Sequence, residues 1–253
     1  MSERSKRNPF RAILFDLGNT LLYFTGDWAQ VFAEADQKLL EQLLASGLEL
    51  DEAYFLKEFR DRMNTYYRER EDNFIELTTA YILRNLLASL GKPTSDEIVC
   101  PALQAMYAAS QQYWLPAEDT LSTLGILKEQ GYRMGIISNA GDDADVQTLV
   151  EDADMRLFFD FILSSAAFGL RKPNPEIFEV ALGHWDFANE EVVMVGDTLD
   201  ADVLGANNLG IYSVWITRNA NTPANRSNKE HIIPDAKIST LGQLPEVLKT
   251  ARE

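Results

Sequence analysis

Five short apolar runs, each ending in polar residues, constrain the fold of this chain more than any other feature. Ala12-Ile13-Leu14-Phe15 stops at Asp16, and comparable runs follow at residues 134–137, 161–163, 192–195 and 212–216. Most lack the apolar–polar alternation of a half-exposed strand, so they read as strands covered on both faces, as in parallel sheets. Helical patterns separate them: Leu121, Leu124, Ile126 and Leu127 precede the second run. Pro175 falls where a first helical turn tolerates proline, ahead of Ile177, Phe178, Val180 and Leu182. Strands alternating with helices imply βαβ units with right-handed crossovers, and so an open, doubly wound α/β domain with a parallel sheet.

One stretch breaks the alternation. From about residue 27 to residue 113 only helical periodicity is visible, with Val31, Phe32, Leu39, Leu40, Leu43 and Leu44 on one face. Phe55, Leu56, Phe59 and Met63 form a second face, and Tyr81, Ile82, Leu86, Leu87 and Leu90 a third. The expected organisation is a core of residues 1–25 and 115–253 interrupted by a helical bundle at 26–114, with Gly26 and Pro116 as hinges. Residues 218–229, rich in asparagine, read as a surface loop. Ile238, Leu241, Leu244, Val247 and Leu248 read as a final helix docked on the core.

Composition narrows the function. The 253 residues carry 39 Asp+Glu against 23 Lys+Arg, a formal charge of −16, which disfavours tracking a nucleic-acid backbone. No window approaches the ~18 apolar residues of a membrane span. The N-terminus, with Arg4, Lys6 and Arg7, lacks the apolar core of a signal peptide, and a cytoplasmic location is expected. The lone Cys100 reads as a small buried hydrophobe rather than a nucleophile or disulfide partner. His184 and His231 stand apart from any ligand pattern.

Chemistry collects where the strands end, which is where doubly wound sheets bind ligands. The first strand runs into Asp16-Leu17-Gly18-Asn19-Thr20, the second into Ser138-Asn139, and Arg171-Lys172-Pro173 follows the third. The fourth leads into Gly196-Asp197-Thr198-Leu199-Asp200-Ala201-Asp202. Each group alone has an ordinary structural explanation, but the ordered set suits phosphoryl transfer through a covalent intermediate. A carboxylate can attack phosphorus, and a divalent cation must offset the repulsion between the two anions. Asp16 and Asp197, with Asp202 nearby, offer the hard oxygens that Mg²⁺ prefers. Ser138 can bind non-bridging oxygens, and Lys172 can neutralise charge in the transition state.

These segments resemble the four signature segments of the haloacid dehalogenase-like (HAD) hydrolase superfamily, from Asp16 to Asp202, and the helical block resembles its first-type cap. The resemblance implies a Rossmann-like core and, for most members, a magnesium-dependent phosphatase. Asp16 would be the nucleophile, Ser138 and Asn139 would bind phosphate or substrate, and Lys172 would stabilise charge. Asp16, the Gly18 backbone carbonyl, Asp197 and Asp202, the last directly or through water, would hold the metal.

Position 18 departs from the family pattern, in which the residue two after the nucleophile is a second aspartate serving as general acid and base. General acid–base catalysis contributes about 10²–10⁴-fold. Three readings therefore stand: a phosphatase of a small phosphorylated metabolite lacking that group, a weakly active or non-catalytic relative binding a phosphorylated ligand or a protein, and a metal-independent dehalogenase. Specificity is expected in the helical block, where Arg60, Arg62, Tyr66, Tyr67, Arg68, Arg70 and Arg84 are candidates for substrate contact.

Overall fold

The computed structural model describes residues 10–251, so the expectation for the first nine positions lies outside the described residues. In chain order the strands are β1 (Ala12–Phe15), β2 (Leu22–Phe24), β3 (Trp114–Pro116), β4 (Arg133–Ser138), β5 (Phe161–Ser164), β6 (Val192–Gly196), β7 (Tyr212–Ile216) and β8 (Ala236–Ile238). Six of them form one sheet in the order β5-β4-β1-β6-β7-β8, with every neighbouring pair parallel. Successive residues of these strands enter opposite cores. Ile13 and Phe15 pack with Met134, Ile136, Val193 and Val195 on one face, and Ala12 and Leu14 with Ile137, Val192 and Met194 on the other. Two covered faces account for the unbroken apolar runs.

From β1 the chain passes to β4 and β5 on one side, then to β6, β7 and β8 on the other. The order therefore reverses around β1, and a crevice opens beyond the carboxyl ends of β1, β4 and β6. Four helices occupy the interval between β2 and β3: α1 (Trp28–Ala45), α2 (Glu52–Asn73), α3 (Thr79–Ser89) and α4 (Asp96–Gln111). They enclose a core of their own that includes Leu39, Leu43, Phe55, Phe59, Leu86 and Val99. Asp27, Asp51 and Thr78 start α1, α2 and α3 by accepting backbone N–H groups with their side chains.

The structure departs from the sequence expectations in five places. The links to the helical block form a two-stranded antiparallel ribbon, in which Phe24 pairs with Trp114 and Leu22 with Pro116. Gly26, expected as a hinge, is closely surrounded by Val31, Tyr113 and Phe24. Ile238 belongs to β8, opposite Ile216, and the last helix spans only Leu244–Thr250. Residues 218–229 include a helix at Pro223–Asn228 whose Asn225 is buried. Cys100 faces solvent on α4, because its neighbours Val99 and Ala102 take the core positions.

Candidate active site

Asp16 leaves β1 held to the sheet, its N–H donating to the Val195 carbonyl at 2.9 Å. The following turn closes through Leu21 N–H and Leu22 N–H to the Leu17 carbonyl at 2.9 and 3.0 Å. Asn19 takes the left-handed conformation (φ +59°), which asparagine tolerates. Gly18 has no such requirement; a Cβ there would point at the Trp114 indole, 3.4 Å away. Thr20 Oγ1 donates to Asp16 Oδ2 at 3.1 Å.

Lys172 is fully enclosed, and three oxygens surround its ammonium. Nζ donates to Asp16 Oδ1 at 2.8 Å and to the Ile137 carbonyl at 2.7 Å, and it lies 2.7 Å from Asp202 Oδ1. The last contact is a charge contact off the axis of a hydrogen bond, so Asp202 Oδ1 is buried without one. Burial disfavours the charged lysine, yet Asp16 and Asp202 outweigh it and raise the ammonium above its ordinary pKa. Asn139 fixes the lysine backbone with both ends of its amide: Nδ2 donates to the Lys172 carbonyl at 2.9 Å, and Oδ1 accepts Lys172 N–H at 2.8 Å. Ser138, at the end of β4, lines the same crevice.

The acidic pair follows β6. Asp202 N–H donates to the Thr198 carbonyl at 2.9 Å, and Asp202 Oδ2 accepts Thr198 N–H at 2.9 Å. Its carboxyl packs so tightly on Gly196 that any Cβ there would collide with it. The Asp197 carbonyl accepts Trp215 Nε1–H and Asn225 Nδ2–H, each at 2.8 Å, while Asn225 Oδ1 accepts Leu199 N–H at 2.8 Å. Asn225 thus fastens both sides of the Asp197 turn. Burial pushes Asp197 well above the usual carboxylate range, reinforced by the charges of Asp16 and Asp202. Asp202 is pushed up to about 6, again by burial, with Lys172 pulling the other way.

Above these groups lies a cavity of about 720 Å³ whose far wall comes from the helical block and ribbon, through Trp28, Arg70, Phe74 and Trp114. The α2–α3 connection docks on the core as a short strand would. Glu76 N–H donates to the Gly169 carbonyl and Arg171 N–H to the Phe74 carbonyl, both at 2.9 Å, with Ile75 opposite Leu170. Buried Glu76 accepts from Tyr66 Oη, from Ser165 Oγ at 2.6 Å and from Arg171 Nη1 at 3.1 Å.

Residues 10–210 match the family described as haloacid dehalogenase-like hydrolase. The chain belongs to the haloacid dehalogenase-like hydrolases. A glyceraldehyde 3-phosphate phosphatase of Methanothermobacter thermautotrophicus is 30% identical over 94% of this chain and 99% of its own length. A ribulose-1,5-bisphosphate 5-phosphatase of Halopiger xanaduensis is 28% identical, covering 94% of this chain and 98% of its own length. The fold is shared with a 2-haloacid dehalogenase from Pseudomonas syringae pv. Tomato at a TM-score of 0.68 and 23% identity, over 95% of this chain and 98% of that one.

In this haloacid dehalogenase-like hydrolase the crevice gathers Asp16, Ser138, Asn139, Lys172, Asp197 and Asp202. Carboxylate oxygens of Asp16, Asp197 and Asp202 all lie within 4.8 Å of one another. Three buried carboxylates faced by one ammonium leave an excess of negative charge that a hard divalent cation fits. Of the seven residues nominated in the helical block, Arg70 alone lines the cavity. Arg60 pairs with Asp36, Arg62 with Glu58 and Arg84 with Asp96, while Tyr66 serves the Glu76 junction. Sequence reasoning missed Glu76, Asn225 and the two tryptophans, none of which carries a local motif.

Proposed function

We propose that this phosphoric monoester hydrolase dephosphorylates a small phosphorylated metabolite through an aspartyl-phosphate on Asp16, with Mg²⁺ as its cofactor. The carrying observation is the Lys172 ammonium held between Asp16 and Asp202, beside a third buried carboxylate, at the switch point of the sheet. Asp16 Oδ2 attacks phosphorus as the bond to the leaving oxygen breaks, and the electron pair departs with that oxygen. Water then attacks the aspartyl-phosphate, releasing inorganic phosphate and restoring the carboxylate. Lys172 fixes Asp16 Oδ1 and offsets the charge that gathers during transfer, while Ser138 receives phosphate oxygens. Asn139 holds Lys172 in place through the lysine's own peptide groups.

Asp16, the Gly18 carbonyl and Asp197 would hold the cation, with Asp202 contributing directly or through water, its Oδ2 already accepting Thr198 N–H. When bound, the cation lessens repulsion between nucleophile and phosphate. Residues 26–114 act as a cap over the cavity and exclude water. No helix among the described residues is long and apolar enough to cross a membrane, and a cytoplasmic enzyme without nucleic-acid partners accords with the charge of −16. The relatives named as sugar-phosphate phosphatases support a small substrate. The test is hydrolysis of 4-nitrophenyl phosphate with Mg²⁺. Activity should vanish with EDTA and in Asp16→Asn; activity that survives both would refute the metal-phosphatase mechanism.

A further inference from the structure

The side of the cavity next to Asp16 is aromatic, and position 18 carries no side chain that could pass a proton. Gly18 projects no side chain there, and the Trp114 indole lies 3.4 Å from the place a Cβ would take. Trp28 meets Trp114 edge-on, with ring centroids 5.7 Å apart, and is itself stacked on Phe24 at 3.8 Å. Phe24 in turn contacts Trp114 at 5.3 Å, and the Phe24–Trp114 pair belongs to the β2–β3 ribbon, so the rings are held by backbone pairing. Trp28 nevertheless remains 45% exposed, a large apolar surface facing a cavity that also contains the nucleophile. The other carboxyls of the cavity are Asp145, which accepts from Gln111 Nε2, and Asp200, which accepts from the Ala201 amide, each at 2.9 Å.

We propose that the substrate is an aryl phosphate, whose ring lies against Trp28 and Trp114 and whose phosphate is borne on a phenol-type oxygen. This rests on the phosphatase reading of the same site. A phenoxide is weakly basic, so it can leave with the electron pair of the broken P–O bond and take its proton afterwards from water. An alkoxide needs that proton during the step, and lacking a general acid costs about 10²–10⁴-fold. Aromatic rings favour edge and offset contacts of the kind Trp28 and Trp114 present. A cavity of about 720 Å³ also exceeds what phosphate and a three-carbon chain would fill.

Two measurements test the proposal. With Mg²⁺ present, kcat/KM is compared for 4-nitrophenyl, phenyl and 4-methoxyphenyl phosphates, glycerol 3-phosphate and a pyrimidine nucleoside 5′-monophosphate. Phenyl phosphate should exceed the alkyl and nucleoside esters by about 100-fold or more, and rates should fall steeply as the phenol becomes more basic. Equal rates for alkyl or nucleoside esters overturn the proposal. The second measurement needs no turnover: binding of phenylphosphonate and ethylphosphonate, followed by tryptophan fluorescence and calorimetry. Phenylphosphonate should bind about 5-fold tighter, and Trp28→Leu and Trp114→Leu should abolish the preference while retaining affinity for inorganic phosphate. No preference in the unaltered protein, or a preference untouched by Trp28→Leu, overturns the aromatic site. Trp28 is the exposed member, so its variant keeps the test open should Trp114→Leu fold poorly. If no ester is hydrolysed, the phosphatase reading fails, and the binding result still decides the aromatic one.

Discussion

On the sheet side of the cavity Asp16, Lys172, Asp197 and Asp202 are each pinned by hydrogen bonds or ion pairs to strand ends and to one another. On the helical side Trp28, Phe74 and Trp114 present rings, and Arg70 keeps a buried Nε without a hydrogen-bond partner. The first wall is a set of charges fixed before any ligand arrives, which suits it to stabilising one transition state. The second offers surface and shape, and it is tied to the core by the ribbon, the docked α2–α3 connection and the hydrogen bonds Thr79 N–H to the Gly141 carbonyl and Gln111 Nε2 to Asp145. Chemistry and recognition are thus built from different materials, and substitutions in the two walls should differ in both size and kind.

The largest effect belongs to the sheet wall. Asp16→Asn removes the attacking oxygen, and kcat for any phosphate ester should fall by more than about 10³-fold with the melting temperature little changed. A variant within ten-fold of the parent would mean that Asp16 is not the nucleophile. Lys172→Met comes next. It should lower kcat by about 10²–10³-fold and leave three buried carboxylates with no cation among them. Thermal melts in EDTA and in Mg²⁺ check the electrostatics independently of activity. Added Mg²⁺ should raise the melting temperature more in the variant than in the parent, and a smaller rise would show that the lysine does not balance those charges.

The junction between the walls should respond more mildly. Glu76→Gln strips the ion pair from Arg171 and weakens the contacts of Tyr66 and Ser165, all at a buried site. A loss of about 1–3 kcal/mol in unfolding free energy is expected, together with a rise in KM of about 3–10-fold as docking of the helical block loosens. Steady-state kinetics separates the outcomes: a fall in kcat at constant KM would assign Glu76 to the chemical step instead.

How much of this was legible in the sequence follows from how local each signal is. β1, β4, β6 and β7 were visible because both of their faces are covered, which writes a continuous apolar run into the chain. That Asp16, Ser138, Lys172, Asp197 and Asp202 meet in one crevice was expected from their places after the apolar runs, Asp16, Ser138 and Asp197 directly at strand ends and Lys172 and Asp202 in the segments that follow. The β2–β3 ribbon was invisible, since three-residue strands are too short to show a period. Asn225 serves a carbonyl 28 residues away, and Glu76 accepts a hydroxyl 89 residues away, so neither leaves a local pattern. Arg70 and Arg60 were indistinguishable on paper; only the fold turns one to the cavity and the other to Asp36. Position 18 was legible as a departure, but what stands opposite it, the Trp114 ring, was not.

The smallest effect sits where the two walls touch. Asp145, near the start of the helix Asp143–Asp152, accepts a hydrogen bond from Gln111 Nε2 at the end of α4. Burial pushes its carboxyl up to about 7 from an ordinary 3.8; the Gln111 contact opposes that shift, and Asp142 adds to it. Below pH 3.8 the group is protonated whether the chain is folded or not, and the folded state enjoys its full advantage. As pH rises towards 7 the unfolded chain ionises first, so stability declines until the folded-state group has also lost its proton. Asp145→Asn keeps an oxygen for Gln111 and removes the titration. The variant should therefore match the parent most nearly near pH 4 and gain on it by about 2 kcal/mol by pH 8, a discounted share of the full shift because the group faces the cavity. Unfolding curves of the two proteins across that range decide it: parallel pH profiles would mean that the junction holds Asp145 as an ordinary, solvated carboxylate.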